Sequence, residues 1–442
     1  MTIDTTKKYS FNGKIINDNN EEWPALVYLE YDEYDPRILK CSLGLENIST
    51  WPTVLENLQA NPRIVGETPE GQNILIKYIG FSGAIRFPAK RGEVDLLYVT
   101  ATQGYLGSVP FTTGTYVFTV TLLNAPSVRI SGYQESSYLG EIKRGRKPDD
   151  GISLKSDLGN ICIGNYYELK EAHVGIEYAD VQIEMTQLIV SNKFNNQIIV
   201  EESIDHIENE IEDILTLLTF INRRSIEWYE IELRYRETGK APRSLVSVKR
   251  RKIRSINDSN PDPLFSQNEL KKGLLSKLVE AYKHSPLRII IERSIIFLTA
   301  SYERETIESQ LQAVYSAIEA IANPLSKKNK MYYSPKKNLN EKKRTSPISK
   351  RIFNLISIYK INCWDFGDPT KIDLMSMIDD MFKRRNKMMH TGTIGDMKLL
   401  YADLIRLRAL CERVILAELG FNDDDLFFSD AYRELRTLYK WP

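Results

Sequence analysis

The spacing of apolar and polar positions changes near residue 200. Before that point, runs rich in β-branched and aromatic residues recur, among them Ala25 to Leu29, Asn73 to Ile79 and Thr115 to Val120. Pro69-Glu70-Gly71 and Thr112-Thr113-Gly114 lie between such runs and supply turn chemistry. The pattern predicts short strands. No helical pattern alternates with them, which disfavours a doubly wound parallel sheet and favours an antiparallel β-rich sandwich or barrel-like domain.

After residue 200 the period lengthens. Ile204, Ile207, Ile211, Ile214, Leu215, Leu218 and Ile221 follow helical spacing within a pattern read from Ser203 to Tyr235, and acidic residues crowd its first turns. A basic, poorly patterned stretch from Lys240 to Arg254 and the loop Asn260-Pro261-Asp262-Pro263 follow. Helical patterns resume at 266–284, 286–302, 304–323, 346–360, 371–391 and 396–419, with a further helix expected beyond Asp423-Asp424-Asp425. The expected organisation is α+β and multidomain. It comprises a β-rich domain over 1–200, a helical connector with a basic stretch over 201–265, and an all-α bundle over 266–442.

Composition narrows this picture in two ways. Lys+Arg and Asp+Glu balance at 59 each, so the whole molecule is not a polycation. The balance is uneven along the chain, however. Lys327 to Arg351 carries ten basic residues against the single acid Glu341, with Tyr332 and Tyr333 among them. Basic residues interleaved with aromatics can grip a phosphate backbone and stack a base, although many such runs are only solvated loops. The four cysteines, Cys41, Cys162, Cys363 and Cys411, form no CxxC pair and read as buried free thiols in a reducing compartment. The N-terminal MTIDTTKKYS lacks a signal-peptide core, and Arg288, Glu292 and Arg293 interrupt the most apolar stretch. A cytoplasmic protein with no membrane partner is expected.

Candidate chemistry concentrates in Arg385-Asn386-Lys387-Met388-Met389-His390. The apolar stripe of this helix runs Leu374, Ile378, Met381, Arg385, Met388, so Arg385 occupies a seam position where a charge is costly unless paired or functional. Asn386 and His390 are four apart and share a face, which would let the amide hold the imidazole in one orientation. RNA carries its own nucleophile, the 2′-OH, so its cleavage needs only proton transfer and charge stabilisation at phosphorus. His390 would serve as general acid or base, Arg385 would neutralise the phosphoryl oxygens, and Asn386 would position one of them. No metal or other cofactor is required. One such histidine per chain does not readily serve as both acid and base, so a site built across two chains is expected.

Arg385-Asn386-x-x-x-His390 resembles the R-N-x-x-x-H signature of HEPN-domain ribonucleases, which are helical, dimeric and metal-independent. The segment Leu311 to Ala320 is similar to that family's helix with an acidic residue, here Glu319, which the resemblance makes a candidate partner for Arg385. The layout of a β-rich half followed by a helical bundle is similar to the ApeA-type anti-phage proteins. The resemblance implies an abortive-infection endoribonuclease acting as a homodimer or higher oligomer through its helical domain. It would cleave host RNA, with tRNA anticodon loops or mRNA as the target, leaving 2′,3′-cyclic phosphate ends. The β-rich domain would restrain the enzyme or sense a phage-derived activator. Lys387 and the loop residues Lys336, Lys337, Lys342 and Lys343 are candidate RNA contacts.

Two rival readings stay open. Asp157, Glu168 and Lys170 mimic an Asp…Glu-x-Lys metal-dependent nuclease site, although a lone Glu-x-Lys is common. A non-catalytic dimeric scaffold of the same helical type, with a ligand-binding β-domain, is the alternative from a different class. His173, His206 and His284 have no partners at ligand spacing, and no phosphate-binding glycine loop is present.

Overall fold

A computed structural model describes residues 6–17, 20–32, 39–45, 63–69, 71, 73–87, 94–107, 114–123, 152–156, 159–174, 177–194, 201–236, 243–249, 263–265, 270–328, 348–361, 363–366, 373–391 and 396–421. The chain forms two compact units. One comprises Met1–Glu212 with Ile226–Asn257, the other Asp213–Ser225 with Asp258–Pro442.

The first unit is an antiparallel sheet of twelve strands: β1 (Thr6–Ile16), β2 (Glu22–Asp32), β3 (Leu39–Leu45), β4 (Arg63–Glu67), β5 (Asn73–Phe87), β6 (Val94–Gly107), β7 (Gly114–Leu123), β8 (Ile152–Ser156), β9 (Gly159–Val174), β10 (Glu177–Phe194), β11 (Glu227–Arg236) and β12 (Arg243–Lys249). They run in the order β3-β2-β1-β4-β5-β6-β12-β11-β7-β10-β9-β8, and β3 also pairs with β6. That extra pairing closes the first six strands into a barrel. β6 serves two sheets along one edge. Its residues Asp95 to Val99 pair with β3, and Gln103 to Gly107 pair with β12. The interior follows from strand alternation. Phe11 and Ile15 on β1, Ala25, Val27 and Leu29 on β2, and Cys41 and Leu43 on β3 are all buried, two residues apart or a multiple of two.

Gly13 and Gly66 face each other across β1 and β4, and the Phe11 ring fills the space a side chain at Gly66 would need. A Cβ there would lie 2.4 Å from Cδ2 and Cε2 of Phe11. Gly66→Ala should therefore cost about 1–3 kcal/mol through overpacking. Thermal unfolding would measure this. Restoration of stability when Phe11→Leu is added would identify the ring as the cause, and an undisturbed melting temperature for Gly66→Ala alone would contradict it.

The segment 201–265, expected as a helical connector, differs from that expectation. α1 (Glu201–Asn222) ends well before Tyr235, and β11 and β12 follow it into the sheet, with β11 against β7 and β12 against β6. Trp228 on β11 is fully buried and donates its indole N–H to Glu212 of α1 at 2.8 Å. Much of the basic stretch from Lys240 is thus strand β12 rather than an unpatterned loop. Of the four thiols, Cys41 and Cys411 are buried, and burial pushes each up to about 12, which keeps them protonated at neutral pH. Cys162 and Cys363 are only half-buried, short of the full burial expected for all four.

The second unit is helical: α2 (Leu275–His284), α3 (Arg288–Glu303), α4 (Ile307–Lys328), α5 (Ile348–Tyr359), α6 (Leu374–Thr391) and α7 (Met397–Glu418), joined by the last turns of α1. α4 packs on α3, α5, α6 and α7. From Ala402 to Ala417 every residue of α7 except Arg408 is buried, so it forms the core of the bundle. The charges that α7 carries inside are paired. Glu412 takes a bidentate contact from Arg223, with both bonds at 2.8 Å, and accepts the Tyr302 hydroxyl at 2.6 Å. Arg413 pairs with the fully buried Asp365 at 2.7 Å. Among the described residues no helix is long and apolar enough to cross a membrane.

Arg223 reaches Glu412 from an unusual backbone. It follows the last residue of α1 at φ 54°, in the left-handed region. Its N–H bonds to Phe220 O, and the next N–H, of Arg224, bonds to Thr219 O. This is a Schellman ending in which arginine stands where glycine is usual.

Candidate active site

α6 begins at Asp373, whose carboxylate accepts the N–H groups of Met375 and Ser376, an N-cap that fixes the start of the helix. Ser349 on α5 donates to Asp379, and Ile378, Met381, Phe382 and Met388 are buried. Arg385 lies within this seam and is half-buried, with its Nε enclosed and unpartnered among the described residues. Lys387, Met389 and His390 are exposed in the last two turns, and Asn386 beside Arg385 is exposed as well.

Two contacts hold Arg385, and a further bond fixes the ring beneath it. Its guanidinium lies over the Tyr315 ring of α4, 5.6 Å from the centroid, within cation–π range. Its Nη1 donates to Asn386 Oδ1 at 3.0 Å. The Tyr315 hydroxyl donates at 2.7 Å to the carbonyl of Met381, one helical turn before Arg385. Phe382 meets the Tyr315 ring edge-on, with centroids 4.8 Å apart and planes at 70°. Burial above all, with the charges of Asp403 and Glu319 adding to it, holds the Tyr315 hydroxyl far above its ordinary range. It is therefore a fixed donor and not an acid or base.

The neighbouring Arg384 does different work. Its Nε and Nη2 grip the two oxygens of Asp403 on α7, each at 2.7 Å, and Asp403 is 1% exposed. The bond to Asp403 raises the Arg384 pKa further. For Asp403 itself, burial outweighs the pull of the guanidinium and moves its carboxyl above the usual range. Desolvation thus consumes much of what the pair gains, and its clearest consequence is to fix where α6 sits on α7.

Two expected relations are absent here. Asn386 is turned to Arg385, and among the described residues it makes no hydrogen bond with His390. Glu319, half-buried one turn after Tyr315 on α4, makes no ion pair with Arg385 and influences the Tyr315 hydroxyl instead. Lys336, Lys337, Lys342 and Lys343 lie outside the described residues, as does Asp157 of the alternative metal site, while Glu168 and Lys170 fall on β9. Tyr315, Arg384 and Asp403 are the members of the site that sequence reasoning missed. Tyr315 interrupts an otherwise aliphatic buried stripe, Leu311, Val314, Ile318 and Ile321, and that departure was the available signal.

Residues five apart on a helix stand about 140° apart around it and about 7.5 Å along it. Arg385 therefore leans into α4 while His390 points elsewhere, and Asn386 lies between them. A held cation for phosphate oxygens and an accessible imidazole are both present, but they diverge within one chain. No protein-family profile, curated protein or solved structure matches the chain.

Proposed function

We propose that the protein is a metal-independent endoribonuclease of the HEPN type, active as a homodimer. The observation that carries this reading is Arg385, whose guanidinium is held by a ring and an amide beside an exposed histidine. A surface helix with no chemistry to perform gains little from an arginine with a buried, unpartnered Nε. The divergence of Arg385 and His390 is what a two-chain site accommodates, because His390 of a second copy can face a phosphate held near the first.

In the reaction, one imidazole accepts the proton of the 2′-OH, whose oxygen attacks phosphorus. The bond to O5′ breaks, and a second, protonated imidazole gives its proton to the leaving oxygen. Arg385 offsets the charge that gathers on the non-bridging oxygens. The products are a 2′,3′-cyclic phosphate and a 5′-OH. In the cell we assign this activity to abortive defence against phage, directed at tRNA or mRNA, with the β-rich unit as sensor or restraint.

The purified protein, incubated with total tRNA in excess EDTA, should cleave at the rate seen with added magnesium. Ligation-based sequencing should recover cyclic phosphate ends. Cleavage that EDTA abolishes, or that leaves 5′-phosphates, would exclude this mechanism.

A further inference from the structure

We infer that Tyr315 is the positioning residue of the site: its ring is the platform that sets the Arg385 guanidinium, and its hydroxyl locks that platform to the helix bearing the arginine. The kinetic part of this inference rests on the ribonuclease reading above. Tyr315 is 1% exposed, meets Arg385 through its π face, and is tied to the arginine's helix through the Met381 carbonyl. In an α-helix that carbonyl also receives the backbone N–H of residue 385, so the hydroxyl and the arginine share one acceptor. Phe382, three residues before Arg385, meets the ring edge-on and fixes its plane. The platform and the arginine are thus tied to the same turn of α6 and move together. The acidic orienter expected at Glu319 has no ion pair with Arg385, which leaves the ring and Asn386 as its supports.

An aromatic platform suits a cation that must meet a phosphate. A carboxylate partner would neutralise the guanidinium and compete with the phosphate for its N–H groups. A π face attracts the cation through its quadrupole, occupies no N–H, and leaves the donors on the outer side available.

Two replacements of nearly equal volume test this. Tyr315→Phe keeps the electron-rich face and loses the hydroxyl. Tyr315→pentafluorophenylalanine, introduced by codon suppression, keeps the shape and reverses the sign of the quadrupole. Both should fold, since neither opens a cavity. The turnover number on RNA should fall about threefold for Phe, which loses the lock to Met381, and about tenfold further for the fluorinated ring, with KM nearly unchanged. A purely structural residue would not follow the electronics of its ring.

An activity-independent measurement accompanies these rates. In protein labelled with 15N at arginine Nε, the Arg385 Hε signal, assigned by its loss in Arg385→Lys, should carry an upfield ring-current shift. That shift should persist in Tyr315→Phe and diminish with the fluorinated ring. Equal turnover for the two variants, or an Arg385 signal that the fluorinated ring leaves unmoved, overturns the inference. If wild type shows no His390-dependent cleavage, the ribonuclease reading fails on its own, and the Hε signal alone decides whether Tyr315 places Arg385.

Discussion

His390→Ala should lower RNA cleavage by about a thousandfold while leaving the fold untouched. The size follows from what general acid–base groups contribute, about 10²–10⁴ in rate. The intact fold follows from exposure, because His390 lies in the last turn of α6 and has no hydrogen-bond partner among the described residues. Thermal unfolding and circular dichroism should therefore superimpose on wild type. The proposed two-chain site makes a sharper demand. Dimers pairing one wild-type chain with one His390→Ala chain, isolated through two affinity tags, retain one histidine where the reaction uses two. They should be nearly as impaired as the fully substituted dimer. Mixed dimers with half the wild-type rate would mean that each chain cleaves alone. Unchanged activity in the full substitution would remove His390 from the mechanism.

The second large effect is on stability. Glu412→Ala should cost the helical unit about 3–5 kcal/mol, because it removes the shared acceptor of two groups that cannot easily return to water. One is Arg223, whose side chain is 14% exposed. The other is the Tyr302 hydroxyl, which burial holds well above its ordinary pKa and which therefore persists as a donor seeking an acceptor. Arg408 stacks on the same ring at 4.2 Å, so the loss would spread beyond one pair. Arg223→Gly breaks the same ion pair but also relieves a left-handed residue, worth about 1–2 kcal/mol where a side chain is present. It should be the milder change by roughly that amount. Urea unfolding of both variants checks the order, and Arg223→Gly proving the more damaging would contradict the strain assigned to its backbone.

What the sequence disclosed depended on whether one periodicity ruled a segment. The β-rich character before residue 200 and the six helices from α2 to α7 were legible because β-branched and aromatic runs mark the one and apolar residues recur at three and four in the other. β11 was not. Ile226 just before the strand and Trp228 and Ile231 on it are buried two and then three apart, because the pairing with β7 shifts between Trp228 and Glu230. That bulge mimics a helical step directly after a real helix, so the pattern ran on past Asn222. The closure of the barrel through β3 and β6 leaves no local trace at all, since it joins strands far apart in the chain.

At the candidate site the same division holds. Arg385 stood out because it breaks an apolar stripe on its own helix. Its aromatic support was hidden because Tyr315 comes from another helix, and the Asp403 that grips the neighbouring Arg384 comes from a third. Spacing on α6 grouped Asn386 with His390, four residues apart. It could not weigh the pull of an adjacent guanidinium, which takes the amide instead.

α1 carries one more consequence. Its first turns count with the sheet unit and its last with the helical one, and the chain then re-enters the sheet as β11 and β12 before leaving it for good. A single break in the gene therefore cannot yield both units whole. A fragment starting at residue 258 would lack Arg223 and leave Glu412 without its counter-charge. Recombination that exchanges ready-made modules end to end is thus barred between these two. Variation in the β-rich half has to arise by drift within its strands and loops, with the helical half inherited alongside it.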